Sequence, residues 1–146
     1  MKKLLLSLPI LALGCAYVED ARLYTVQPFM PSDKAVQLTS LIEKRLIQKG
    51  LLLKSKYHDA YPEDVLVTEL EIPRRPEDKR RYPMLIVSLK DSHLVQIRHS
   101  EWWLNNFTTR YKPEDYVKKI IPELRFAAKK ELNMDIELVL TEQNLS

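Results

Sequence analysis

The stretch MLIVSLKDSHLVQIRH, residues 84–99, decides how the rest of the chain is read. Two apolar-rich runs are joined by polar turn residues, which is the pattern of a β-hairpin. Leu85, Val87 and Leu89 share one parity, and Val95, Ile97 and His99 share one parity on the return run. Side chains alternate across a strand, so each run offers one face to a core. A lone hairpin is at best marginally stable in water, and this one needs further strands or a helix against it.

The flanking sequence supplies both. PSDKAVQLTSLIEKRLIQKG, residues 31–50, is the clearest helix: Ala35, Leu38, Leu41, Ile42 and Leu46 recur at three- and four-residue spacing. Ser32 or Asp33 is placed to cap its start, and Gly50 to end it in the left-handed conformation. A second helix is expected from about Pro113, with Glu114 and Asp115 in its first turn and an apolar face that includes Val117, Ile120, Leu124 and Ala128. Pro122 lacks a backbone donor and is expected to kink or divide that helix, and Asn133 to stop it. Strand-like runs occupy residues 22–30, 51–57, 65–72 and 134–141. The order strand, helix, strands with a hairpin, helix, strand predicts an α+β fold, a mostly antiparallel sheet with two helices packed on one face.

Composition removes several function classes. Gly14 and Gly50 are the only glycines among 146 residues. Glycine-rich phosphate loops, both the dinucleotide fingerprint and the P-loop, are therefore excluded. The formal charge of +3 includes Lys2 and Lys3. Without them 21 basic residues face 20 acidic ones. So near-neutral a chain gives no case for nucleic acid, which is met by a concentrated basic surface.

The chain begins MKKLLLSLPILALGCAYVED, residues 1–20. Lys2 and Lys3 precede an uncharged apolar run from Leu4 to Leu13, too short for a lasting span of roughly 20 residues. Positive start, short apolar core and small residue before a break form the pattern of a secretory signal peptide. LALGC, residues 11–15, resembles the lipobox of bacterial lipoproteins. Leucine is more usual where this chain has Ala12. The resemblance implies diacylglycerol on the sulfur of Cys15, removal of residues 1–14 and acylation of the new amino terminus, a palmitate-bearing membrane anchor. In a two-membrane host it also implies the outer membrane, facing the periplasm, because Ala16 is not the retention signal that an aspartate there would be. In any other host it implies the cell-surface membrane. Cys15 is the only cysteine, so no disulfide within the chain competes for it. Gly14-Cys15-Ala16 also fits an ordinary small-x-small cleavage site, which would leave a secreted protein starting at Tyr17. The expected organisation is a signal peptide over 1–14, an acylated cysteine and tether over 15–21, and a single α+β domain over 22–146.

Nothing in the chain marks a catalytic constellation. His93 and His99 lie roughly 20 Å apart along a strand and cannot share a metal. His58 with Asp59, Glu63 and Asp64 is a denser set, but structural zinc asks for three or four protein ligands, and a solvated turn accounts for these residues. No serine stands between the glycines of a nucleophile elbow. No cofactor, no metal and no enzymatic activity are expected. Two stretches suit recognition instead. RRPEDKRR, residues 74–81, carries Arg74, Arg75, Lys79, Arg80 and Arg81 against Glu77 and Asp78. Such a loop meets anionic lipid or an acidic partner, or simply solvates a sheet edge. In SEWWLNNF the adjacent Trp102 and Trp103 point opposite ways in an extended segment: either one covers the core edge and the other is exposed to a partner, or both cap the sheet ends as packing residues. The sequence thus reads as a lipid-anchored envelope lipoprotein acting as a non-enzymatic binding or accessory subunit for another envelope protein. An immunity lipoprotein neutralising a periplasmic toxin is the alternative, and a small ligand carrier or enzyme the second.

Overall fold

The computed structural model describes residues 17–74, 81–104 and 114–145. Its elements are β1 (Tyr17–Gln27), α1 (Ser32–Gln48), β2 (Leu52–Asp59), β3 (Val65–Glu71), β4 (Arg81–Lys90), β5 (Leu94–Leu104), α2 (Tyr116–Leu132) and β6 (Glu137–Leu145). The strands form one sheet in the order β2-β3-β4-β5-β1-β6, and every neighbouring pair is antiparallel. Both helices pack on one face, as the one-sided patterns of residues 31–50 and 113–132 require. The 84–99 hairpin lies in the middle of the sheet, with Leu85 opposite His99 and Val87 opposite Ile97. Asp91 and Ser92 take positive φ at its turn, where short polar side chains tolerate the left-handed region.

The core lies between this face and the helices. Leu70, Leu85, Val87, Val95 and Ile97 meet Ala35, Leu38, Ile42 and Leu46 of α1 and Val117, Ile120, Leu124 and Ala128 of α2, all buried. Gly50, at φ +99°, ends α1, and the amide of Leu51 returns to the carbonyl of Leu46. Asn133, at φ 51°, does the same service for α2.

Four local expectations are corrected. The N-cap of α1 is Pro31, whose carbonyl accepts from Ala35 N, so Ser32 and Asp33 belong to the first turn. α2 starts at Tyr116, capped by Asp115, whose side chain accepts from Lys118 N at 3.1 Å. Pro122 does not divide α2: the helix runs through it, and Pro122 faces solvent, where water can meet the carbonyl left without a donor. Finally, β1 begins at Tyr17, so residues 17–21 are strand and leave no tether of that length. They are held by pairing, Tyr17 opposite Leu104 and Ala21 opposite both Ser100 and Asn144.

Ile97→Ala, at a fully buried position of the central hairpin, is expected to cost about 2–5 kcal/mol in urea unfolding. Ile86→Ala, half-buried on the opposite face, is expected to cost clearly less.

Candidate functional site

At the end of the sheet where β1 begins and β5 finishes, the apolar parity of the covered face turns ionisable. On β5 the row Val95, Ile97 continues as His99 and Glu101, and on β1 the row Val26, Tyr24 continues as Arg22 and Asp20. Register brings these together, with Arg22 opposite His99 and Asp20 opposite Glu101. Asp115 at the start of α2 and Arg81 at the start of β4 complete the group. The side chains are deeply covered: Asp20 is 2 % exposed, His99 2 % and Glu101 1 %.

Charges of opposite sign are interleaved. Arg22 reaches Asp20 at 2.9 Å and Asp115 at 3.5 Å. Arg81 places Nε and Nη2 at 3.0 and 2.7 Å from one oxygen of Glu101. Tyr24 donates its hydroxyl to Asp115. Burial first, and then the bond to Asp115, push the Tyr24 phenol well above its ordinary range, so it stays a donor. Asp20 Oδ1, Arg22 Nε and His99 Nδ1 are buried and find no hydrogen-bond partner among the described residues. Each such group costs on the order of 1–3 kcal/mol. Burial lowers the His99 pKa, and the nearby Glu101, Asp115 and Asp20 offset this only in part, while Arg22 adds to it. Among the described residues the group sets Asp20, Glu101 and Asp115 against Arg22 and Arg81.

The same sheet end carries a different chemistry on its open face. Trp102 is 44 % exposed and stands beside Tyr82, its register partner on β4, at 43 %. Trp103, one residue on, is 5 % exposed and turned to the covered side. The guanidinium of Arg74 lies 4.8 Å from the centre of the Tyr82 ring. Glu19, opposite Trp102 on β1, completes this row.

These positions redraw the sequence-derived sites. Cys15, Arg75, Lys79 and Arg80 lie outside the described residues. Arg81 is not part of a solvated basic loop: it belongs to β4 and is committed to buried Glu101. Arg74 pairs with Glu71 at 3.9 Å as well as with Tyr82. Trp102 and Trp103 do point opposite ways. The network of Asp20, Arg22, His99, Glu101 and Asp115 was missed by sequence reasoning. Its only sequence signal is the i, i+2 spacing of two ionisable pairs, Asp20/Arg22 and His99/Glu101, each continuing an apolar parity. His58 contacts Asp64 in an exposed setting, and among the described residues no group of three or more His, Cys, Asp or Glu side chains is arranged to hold a metal. Comparison with protein-family models and with curated proteins returns no match, so the reading rests on the residues themselves.

The His99 environment fixes the sign of a pH dependence. The unfolded imidazole titrates near 6.5, while the folded one resists protonation. Below that value the unfolded chain binds more protons, so the stability tied to neutral His99 is full above it and is lost as pH falls. Between about pH 7.5 and about 5.5 wild type is expected to lose stability that His99→Gln does not. Denaturant unfolding of both proteins at the two pH values checks this, and parallel losses would clear His99.

Proposed function

We propose that this chain is a lipid-anchored envelope lipoprotein, held through Cys15, whose α+β domain acts as a non-enzymatic binding or accessory subunit. The observation that carries this reading is the entry of the chain into the fold. β1 starts at Tyr17, two residues after Cys15, and is an interior strand hydrogen-bonded to β5 on one side and β6 on the other. Asp20 and Arg22 then tie it into the charged network. An acyl anchor at Cys15 would thus be joined almost directly to an interior strand of the sheet, which suits a domain that works at the membrane surface. A multiply acylated cysteine binds persistently, since each buried methylene contributes about 0.8 kcal/mol.

Burial supports the non-enzymatic part. The cluster of ionisable side chains near the start of α2 is buried, and the carboxylates of Asp20 and Glu101 are already paired with arginine. Such groups brace a fold; a reacting substrate needs them accessible. The exposed row of Tyr82 and Trp102 offers instead the amphipathic aromatic surface that binding sites favour. The lipobox resemblance, with Ala16 following the cysteine, supports the periplasmic side of an outer membrane.

Metabolic labelling with an alkyne palmitate analogue tests the anchor. The wild-type chain is expected to take the label and partition into detergent, and Cys15→Ser to lose both. Equal labelling of the two proteins would remove Cys15 from the proposal.

A further inference from the structure

We infer that Tyr82 and Trp102 rest in the headgroup layer of the membrane that holds Cys15, and so fix which face of the domain turns toward lipid. This rests on acylation of Cys15 and extends that reading by naming the contacting surface.

Chain geometry limits where the membrane can be. Cys15 and Glu19 are four positions apart, so their Cα atoms lie no more than about 15 Å apart in any conformation. Glu19 is the register partner of Trp102, and Trp102 of Tyr82, so the three strands β1, β5 and β4 stand side by side at this row. Neighbouring strands are about 4.8 Å apart. Both aromatic rings are therefore among the described groups nearest the anchor. Phe126, more exposed at 67 %, belongs to the far end: its groove is shared with Arg125 and Ile136, beside Gln27 and Pro28. Tyr17 and Gln27 are ten positions apart on β1, roughly 33 Å at strand rise.

Side-chain chemistry selects the face. On the covered side of this end, Asp20, Arg22 and Glu101 are held in salt bridges, polar side chains with a heavy penalty for approaching hydrocarbon. The open side carries a tryptophan and a tyrosine, whose apolar rings and polar tips place them at membrane–water interfaces. Arg74, stacked on Tyr82, brings a guanidinium to the same surface, suited to lipid phosphate. Trp103 is buried against the covered side, so only one of the two tryptophans can reach lipid.

The test uses the acylated full chain reconstituted in phosphatidylethanolamine–phosphatidylglycerol vesicles, with and without brominated acyl chains, and reads flotation together with tryptophan fluorescence. Wild type is expected to float, to shift its emission to the blue and to be quenched by bromine. Trp102→Phe is expected to float equally and lose the quenching, because buried Trp103 remains as its only tryptophan. Tyr82→Ala is expected to float and be quenched less. A protein that floats and is acylated but shows the same fluorescence in both vesicles overturns the inference and leaves the anchor standing. Undiminished quenching in Trp102→Phe, or in Tyr82→Ala, overturns the assignment to this pair. A chain that carries no acyl group and does not float overturns the anchor and this inference together.

Discussion

Pairing of β1 on both of its edges is the constraint on which the rest of the structure depends. The strand closest to the amino terminus fills the gap between the hairpin strand β5 and the last strand, β6. Without it, β6 has no partner in the sheet and α2 loses the Arg22 and Tyr24 contacts that hold its first turn. The pairing is long-range, joining residues 17–25 to 96–104 and 20–27 to 137–145. Such contacts close large loops before they are rewarded, which makes the two halves of the fold interdependent. A bulge where the register skips Thr141 bends β6 around β1, and the Thr141 hydroxyl donates to the carbonyl of Leu23.

The buried charges under α2 follow from that arrangement. An apolar core of the same shape would be at least as stable, since burying ion pairs costs desolvation that their attraction often does not exceed. What the network supplies is geometric definition. Arg22 links its own strand neighbour Asp20 to Asp115, and Asp115 in turn caps α2 and receives Tyr24. A one-residue slip of β1 would move Asp20 and Arg22 to the open face and take Arg22 away from Asp115. The charges therefore penalise wrong registers, and the buried atoms left without a partner among the described residues are the cost accepted at this end of the sheet.

One end of the molecule thus combines a covered face that locks the entering strand with an open face that presents aromatic surface. Under the proposed acylation of Cys15, force at the anchor would pass into a strand bonded on both sides, and the exposed rings would be free to face the membrane. The two edge strands lie away from the centre of this end. β2, exposed along nearly its whole length, carries Lys54 and Lys56, charges of the kind that keep a free edge from pairing with another chain.

The architecture was legible in the sequence wherever a periodic pattern ran long enough to report burial. The 84–99 hairpin, the face of α1 with Gly50 at its end, and the face of α2 ending at Asn133 are all local patterns with local physical causes. Element ends were less legible, because Pro31, Asp115 and Tyr17 take their roles from what pairs or caps across the chain. The alternation of Trp102 and Trp103 followed from strand geometry alone. The reassignment of Arg81 did not, since its partner Glu101 lies twenty residues away, where a run of mixed charge looks like solvated loop. The network of Asp20, Arg22, His99, Glu101 and Asp115 draws on three elements whose neighbourhood depends on β1 entering between β5 and β6. By itself the sequence determined the α+β class, the two one-sided helices and the central hairpin, because periodicity encodes which face is buried. The tertiary structure alone decided which charges are buried together and which tryptophan is exposed beside Tyr82, because strand order and register are set by pairing between distant segments.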